Sequence, residues 1–134
     1  MNFIVRDIDF SEYDAAQRLL EVNGWAHRIR DAEDFRMLCD NSEQVLVAVQ
    51  GRQVIGFVRS LTDRISNGYI SMLVVHPDFR RQGVGRALVE ALISYGRPSV
   101  TWTLRAGREG ASHFFAAMGF DKSHETMELK RRTT

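Results

Sequence analysis

The sequence predicts one α/β (α+β) domain, covering residues 1–134, in which about four helices cover a mostly antiparallel sheet. The length of 134 residues fits a single hydrophobic core. The contents of 44% hydrophobic and 26% charged residues are those of an ordinary packed protein. Strand-type and helix-type segments follow one another in the order β-α-α-β-β-β-α-β-α-β-β, which favours helices packed on a sheet.

The N-terminal region begins with a predicted strand and helix. Phe3–Ile8 is short and rich in β-branched and aromatic residues. Ser11 and Asp14 have the spacing of a capping box, and the apolar residues that follow recur at helical spacing. We therefore expect a helix over Glu12–Val22 that ends at Asn23-Gly24.

A second helix is expected over Ala32–Asp40. Asp31 and Asp34 repeat the capping pattern immediately before its apolar residues. Cys39 is the only cysteine and falls on the apolar face of this helix. A lone cysteine excludes an intrachain disulfide and argues against a cysteine-built metal site. We interpret Cys39 as a buried apolar residue and not as a nucleophile.

The remaining elements are predicted from apolar residues at strand-type or helix-type spacing. The near-continuous apolar run at the end of Tyr69–Val75 indicates a central strand that is covered on both faces. The other segments are strands Val45–Val49, Val54–Leu61 and Val100–Arg105, helices Arg86–Tyr95 and Glu109–Met118, and a last strand pair, Phe120–Ser123 with Thr126–Lys130.

A glycine-containing turn links the central strand to the helix that follows. Gly83 and Gly85 lack a Cβ, so a ligand can approach the backbone closely. The free N–H groups and the dipole of the helix N-terminus favour an anion, and Arg80, Arg81 and Arg86 add charged donors. The turn therefore predicts a phosphate site. It is neither a Walker loop nor a dinucleotide-binding G-x-G-x-x-G pattern.

Other function classes are disfavoured by composition and spacing. A net charge of +1 argues against nucleic-acid binding through bulk charge. The longest apolar runs, VLVAV and FFAAM, are too short to span a membrane, and the N-terminus has no signal-peptide pattern. The four histidines show no metal-ligand spacing. We therefore expect a cytoplasmic protein with no metal and with neither nucleic-acid nor membrane partners.

The segment ISMLVVHPDFRRQGVGRALVEALI resembles motif A of the GCN5-related N-acetyltransferase (GNAT) superfamily. Arg80, Gly83 and Gly85 occupy the three signature positions of that motif. The later FFAAMGF resembles the F-Y-x-x-x-G-F of the same superfamily, and the element order matches over nearly the whole chain. The resemblance implies the GNAT fold, in which the two central strands splay apart.

The resemblance also implies a co-substrate and its binding residues. Acetyl-CoA would be the donor, with its pyrophosphate on the backbone amides of residues 81–86 and its pantetheine along the central strand. An amide near Val75 would polarise the thioester carbonyl, and an amine would attack directly. The implied binding residues are Leu73, Val74, Val75, Arg80, Arg81, Gln82, Gly83, Val84, Gly85 and Arg86.

Two positions depart from the pattern of the superfamily. Phe115 stands where many members have a Tyr that can protonate the leaving thiol. Ser71 stands where many members have a Glu that can act as general base, and serine is a poor base without a partner. The catalytic residues therefore remain unassigned. Weak candidates are Ser71, Tyr69 and Asp63, and strand packing for Tyr69 and loop solvation for Asp63 are better explanations than catalysis.

The acceptor is left open by the sequence. By analogy with the superfamily, Trp25–Asp34 and the last strand pair flank the acceptor side. The arginines and acids of Trp25–Asp34 do not decide the charge of the substrate. The leading hypothesis is acetylation of a primary amine of a small molecule or peptide. The alternative is a non-catalytic acyl-CoA binding or sensing module, and an adaptor domain without a ligand ranks below both. The short C-terminal region raises the further possibility that a homodimer completes the acceptor cleft.

Overall fold

A computed structural model describes residues 2–132. In that range it shows a five-stranded sheet with two α-helices on each face. This confirms the predicted fold class. The strands are β1 (Ile4–Asp7), β2 (Gln44–Gln50), β3 (Gln53–Thr62), β4 (Asn67–Val75) and β5 (Thr101–Leu104), and the helices are α1 (Tyr13–Leu20), α2 (Ala32–Asp40), α3 (Val84–Ser94) and α4 (Ala111–Ala117).

The strands lie in the order β1-β2-β3-β4-β5, and the first three neighbouring pairs are antiparallel. The β4–β5 pair is parallel, since α3 carries the chain back across the sheet. Pairing between β4 and β5 extends only from Asn67 with Thr101 to Ile70 with Leu104. Ser71–Val75 continues β4 beyond that point, so the two strands splay apart as the resemblance implied.

The sheet is covered on both sides by apolar side chains. Leu20 of α1 and Phe35 of α2 pack on one face, where the ring centroids of Phe35 and Phe57 are 5.9 Å apart. Leu88 of α3 and Phe115 of α4 pack on the other face. Burying a side chain of this size contributes roughly 1.5–3 kcal/mol. Residues of β4 enter both layers, which confirms that it is covered on both faces.

The N-terminal cap differs from the prediction. The capping box is formed by Asp9 and Glu12 around a 3₁₀ turn at Phe10–Glu12, and α1 begins at Tyr13. The Glu12 carboxylate accepts a hydrogen bond from the Asp9 amide at 2.9 Å. The predicted pair of Ser11 and Asp14 was wrong because the Ser11 hydroxyl donates to the Asp9 carboxylate.

The segment after α1 is less regular than a continued helix. Regular α-helix ends at Leu20, and a wide turn spans Glu21–Trp25. Gly24 adopts φ 95°, a left-handed conformation that interrupts the helix where the Asn-Gly pair predicted its end. A 3₁₀ turn over Ala26–Arg28 then leads toward α2. The observed bounds and the Asp31 cap of α2 match the prediction.

The predicted C-terminal strand pair is not present in the described part of the chain. Residues 121–132 are exposed and form no strand, and the side chains of Met127 and Leu129 are 98% and 95% exposed. None of these residues packs into either apolar layer of the sheet, and a two-stranded hairpin without such packing is marginally stable. The tail is instead held by an ion pair between Arg105 and Glu128 and by a hydrogen bond from Arg131 to the His27 carbonyl.

Candidate functional site

The site is a cleft of about 990 Å³ between the splayed ends of β4 and β5. Its walls are the free half of β4, the turn that leads into α3, and the first turn of α4. The segment between α1 and α2 and the loop after β5 also line the cleft and contact each other. The cleft therefore joins the predicted phosphate turn, at one end, to the candidate residues Tyr69 and Ser71 at the other.

A β-bulge produces the opening in the sheet. Opposite β3, the register shifts between Phe57, which pairs with Val74, and Arg59, which pairs with Ser71. The extra residue on β4 is accommodated by Met72, whose φ of 59° is unusual for a residue other than glycine. Bulges of this kind bend a strand and increase its local twist. This bend turns the end of β4 away from β5.

The bulge leaves one edge of β4 without a partner strand in the described chain. The His76 amide donates to the Ile55 carbonyl at 2.8 Å, so these residues form a hydrogen-bonded pair with β3. Antiparallel pairs alternate, and Val75 therefore directs its N–H and C=O toward the cleft. The Val75 carbonyl accepts from Arg80 Nε at 3.2 Å. The Val75 amide is thus a hydrogen-bond donor directed into the cleft.

The turn before α3 presents a series of backbone amides. Arg81 and Gly83 have positive φ values of 63° and 84°, and Gly83 is the N-cap of α3. The first helical hydrogen bond is from Ala87 to the Gly83 carbonyl at 3.0 Å. The N–H groups of residues 84–86 consequently have no intrahelical acceptor. Alternating backbone conformations next to a helix N-terminus form an anion-binding cavity.

Gly85 lies where the phosphate turn meets the rest of the cleft. A Cβ at this position would be 3.3 Å from Phe114 Cζ on α4 and 3.6 Å from Val75 Cγ2 on β4. Any larger side chain would therefore fill the space between the three elements. The absence of a side chain at Gly85 keeps the cleft continuous from the turn to the free edge of β4.

Nine of the ten predicted cofactor-binding residues line the cleft, and Gln82 does not. Arg80 lines it without pointing its donors at the turn. Its Nη2 donates to Asn23 Oδ1 at 2.8 Å, while its Nε binds the Val75 carbonyl. In this structure Arg80 joins the segment after α1 to the end of β4.

The structure adds a contact that the sequence did not indicate. Arg108, in the loop after β5, donates to the Asn23 backbone carbonyl, and its guanidinium carbon lies 4.7 Å from the centroid of the Trp25 ring. Arg108 and Asn23 are 85 positions apart. No local pattern carries information about such a pair. Together with Arg80, Arg108 fixes the segment Asn23–Trp25 over the cleft.

The catalytic candidates fall in different places. Ser71 and Tyr69 line the cleft, whereas Asp63 lies in the exposed loop before β4 and does not. The Asp63 carboxylate accepts from the amides of Ile65 and Ser66 at 2.8 and 2.7 Å. Hydrogen bonds from the Ser66 side chain and from these amides lower the pKa of Asp63. This arrangement accounts for Asp63 as a residue that shapes its loop.

Phe115 lines the cleft at the position where a general acid was considered. Its side chain is 7% exposed and packs edge-to-face against Phe114 and Phe120, with centroids 5.0 and 5.5 Å apart. Cys39 is buried under the other face of the sheet and does not line the cleft. Burial raises the pKa of the Cys39 thiol to about 12, so the thiol is protonated at neutral pH.

Arg59 of β3 is a second feature that the sequence did not indicate. It lines the cleft and pairs with Ser71 in the sheet, so the two side chains share the face covered by α1 and α2. Burial lowers the pKa of the Arg59 guanidinium, an effect that the neighbouring Tyr69 and Cys39 partly oppose. The sequence did carry one signal for Arg59, because a charged side chain is unusual in an otherwise apolar strand.

Within residues 2–132, no group of three or more His, Cys, Asp or Glu side chains is arranged to hold a metal ion. No helix of that range is both long enough and apolar enough to cross a membrane.

Free amides at a helix N-terminus, beside a strand with a free edge, form an arrangement that suits a phosphate-bearing ligand with an amide-containing chain. The model of the acetyltransferase (GNAT) family matches residues 7–120. The chain therefore belongs to the GNAT family.

Relatives and solved structures agree with this assignment. The mycothiol acetyltransferase of Mycolicibacterium vanbaalenii is 27% identical to the chain, covering 92% of it and 42% of that protein. The mycothiol acetyltransferase of Clavibacter michiganensis is 32% identical over 73% of the chain and 33% of that protein. The chain thus spans about two-fifths or less of these relatives. A GNAT acetyltransferase structure from Streptococcus pneumoniae shares the fold, with a TM-score of 0.78 and 19% identity over 97% of this chain and 99% of that one.

Proposed function

We propose that the protein, as a single domain, transfers the acetyl group of acetyl-CoA directly to a primary amine of a small molecule or peptide. The observation that carries this proposal is the free edge of β4 at Val75, which lies in the same cleft as the free amides of α3. Membership of the GNAT family supports it.

The cleft fits acetyl-CoA in size and chemistry. Its volume of about 990 Å³ is at the upper end of the range for ligand pockets. The amides of residues 84–86 suit a diphosphate, and the free edge of β4 suits a chain of amides that pairs like a strand. Gly85 leaves the passage between these two regions open.

Each residue has a role that follows from its position. When bound, acetyl-CoA supplies an acetyl group activated as a thioester. The Val75 N–H is placed to donate to the carbonyl oxygen as that oxygen gains negative charge. Phe115 has no proton to give, and the leaving thiol, with an ordinary pKa near 8.5, needs little help. Cys39 is outside the cleft, which favours direct attack by the amine without an acyl-enzyme.

A thiol-release assay with acetyl-CoA and a panel of amines tests the activity. We expect sustained turnover with at least one amine. The rate should rise with pH, because only the neutral amine attacks and its fraction grows about tenfold per pH unit below its pKa. Absence of turnover with every amine would contradict the proposed reaction.

A matched pair of variants tests the binding mode. Gly85→Val should weaken acetyl-CoA binding at least about tenfold in calorimetric titration, because the side chain fills the passage. The control Ala117→Val changes an exposed position on α4 that does not line the cleft. An unchanged dissociation constant in folded Gly85→Val would show that the ligand binds elsewhere.

One observation favours the alternative of a non-catalytic acyl-CoA sensing module. Ser71 and Phe115 line the cleft without supplying a general base or acid. Tight binding of acetyl-CoA without thiol release would support that function.

We also propose a homodimer, because no strand in residues 2–132 covers the outer edge of β5. Unpaired edges are favourable sites for pairing with another chain. The molar mass from light scattering would distinguish a dimer from a 15.3 kDa monomer.

A further inference from the structure

The two ends of the cleft suit different chemical groups. The amides that suit phosphate lie after Val75, whereas Tyr69 and Ser71 lie earlier on the same strand. At about 3.3 Å per residue, Tyr69 is some 20 Å along β4 from Val75. An acceptor that approaches Val75 from the side opposite the phosphates must therefore pass Ser71, Tyr69 and the neighbouring Arg59.

Arg59 has unused hydrogen-bonding capacity at this end. Its Nε is fully buried and has no hydrogen-bond partner in residues 2–132. The hydrogen bond that its side chain does form, from Nη1 to Ser42 Oγ, is long at 3.4 Å. None of the carboxylates in the described chain forms an ion pair with it. A half-buried charge without a counter-charge is costly, so its presence calls for a compensating anion.

The acids near the acceptor end do not supply that anion. Asp34 is bound to Arg30, with Oδ2 2.7 Å from Arg30 Nε, and Asp31 accepts the Asp34 amide at the start of α2. Neither residue lines the cleft. Among the described residues that do, one is acidic, Glu109, and seven are arginines: Arg28, Arg59, Arg80, Arg81, Arg86, Arg105 and Arg108.

We propose that the acceptor amine carries an oxyanion, a carboxylate or a phosphate, and that Arg59 binds it beside Ser71 and Tyr69. This inference rests on the proposed acetyltransferase function and names its substrate class. A guanidinium binds either oxyanion through charge-assisted hydrogen bonds. The amine of such a substrate extends from Arg59 toward Val75, so the anion fixes the orientation of the nucleophile. Arg59 is thereby a specificity-determining residue.

Matched amine pairs provide the test. Ser71, the sheet partner of Arg59, lies about 13 Å along β4 from Val75, so the anion and the amine of each probe must be separated by a chain of comparable length. The first pair is a long-chain ω-amino acid and its carboxamide, and the second is the phosphate ester of a long-chain amino alcohol and the parent amino alcohol, so the two pairs separate carboxylate from phosphate. We expect kcat/KM for one anionic member to exceed that of its neutral partner by about 10- to 100-fold, the value of charge-assisted hydrogen bonds. Equal values within both pairs would overturn the inference while leaving the acetyltransferase function intact.

Variants link the preference to Arg59. Arg59→Gln should reduce the ratio of kcat/KM within the preferred pair to near one, and Arg59→Lys should keep part of it. If Arg59→Gln does not fold, Arg59→Lys alone must lower the ratio. The control Arg52→Gln changes an exposed arginine in the turn between β2 and β3 and should keep the full ratio. An unchanged ratio in folded Arg59 variants would overturn the inference.

The inference remains testable if no amine is acetylated, an outcome that would contradict only the proposed function. Calorimetric titration of both members of each pair into wild-type protein saturated with CoA then measures the same preference. At least tenfold tighter binding of an anionic member is expected, with the preference lost in Arg59→Gln or reduced in Arg59→Lys. Equal affinities would overturn the assignment of Arg59.

Discussion

At the scale of single residues, the chemistry of the cleft depends on groups whose surroundings are unusual. Val75 offers an unpaired amide because the strand beside it has ended, and Met72 adopts a positive φ to make that possible. Strained backbone of this kind persists only where the surrounding structure holds it, and it is common at functional sites. Phe115 and Cys39, by contrast, are explained by packing alone.

Phe115→Tyr tests whether a phenol at this position would help catalysis. We expect kcat to change by less than about threefold, since the ring is enclosed by Phe114 and Phe120 and the leaving thiol needs no acid. The free energy of unfolding should fall by about 1 kcal/mol, because the added hydroxyl is largely buried. Steady-state kinetics and chemical denaturation measure both effects. A hundredfold rise in kcat would instead identify a vacated general-acid position.

Cys39 is predicted to be inert. Because burial raises the pKa of its thiol to about 12, folded protein should react with iodoacetamide at pH 7.5 far more slowly than unfolded protein in urea. Cys39→Ala should keep the wild-type turnover at a cost of about 1 kcal/mol in unfolding free energy. Rapid labelling of the folded protein, or an acetylated Cys39 competent to pass its acetyl group to the amine, would refute this.

At the scale of elements, a bidentate ion pair between Arg6 and Glu12 connects β1 to the start of α1. The Arg6 guanidinium lies 2.9 Å from Glu12 Oε1 and 2.7 Å from Oε2, and the Glu12 side chain is 14% exposed. Glu12 also accepts the Asp9 amide in the capping box. The Glu12 carboxylate therefore links β1, the capping turn and the start of α1.

This arrangement predicts a pH dependence of stability. The hydrogen bond from Arg6 is the main reason that the pKa of Glu12 is lowered. The stabilisation is complete above the unfolded-state pKa of about 4.3 and is lost as pH falls through the lower folded-state value. Glu12→Gln should cost about 1 kcal/mol at pH 7 and much less at pH 3, as measured by urea unfolding. The exposed Glu33→Gln serves as the control, and a pH-independent cost at Glu12 would contradict the linkage.

At the scale of the whole molecule, charge is distributed unevenly. The chain has a formal net charge of only +1, yet arginines outnumber acids seven to one among the described residues that line the cleft. Low-dielectric walls concentrate the field of such a cleft and draw in anionic ligands. The net charge of the chain, which argues against nucleic-acid binding through bulk charge, does not determine this local field.

The local field should make CoA binding sensitive to salt. We expect the dissociation constant of CoA to rise about tenfold between 50 and 500 mM NaCl, since screening shortens the reach of the arginines. Dephospho-CoA, which has fewer charges, should show a smaller slope. Titrations of each ligand at 50 and 500 mM NaCl and one pH measure the two slopes. Equal and flat salt dependence for both ligands would contradict electrostatic attraction as a main contribution.

The fold and the position of the glycine turn before α3 could be predicted because their signals are local. A cap, a helical period or a glycine before a helix acts over a few residues, so α2 was predicted residue for residue. Helices α3 and α4 begin at Val84 and Ala111, two residues from their predicted starts, after glycines with φ of 84° and 81°. Such deviations are ordinary at helix ends.

What the sequence by itself determined is the order of the elements, the layers they form and the glycine turn that leads into α3, since each depends on neighbours along the chain. Only the tertiary structure decided the bulge at Met72, the joining of Asn23 to Arg80 and Arg108, and the position of Arg59 in the wall of the cleft beside Ser71. The sequence also predicted a C-terminal hairpin that the described chain lacks. The bulge, the contacts of Asn23 and the position of Arg59 depend on which surfaces meet between residues that are distant in the chain, as far as 85 positions for Asn23 and Arg108, and on the desolvation of groups that those surfaces enclose.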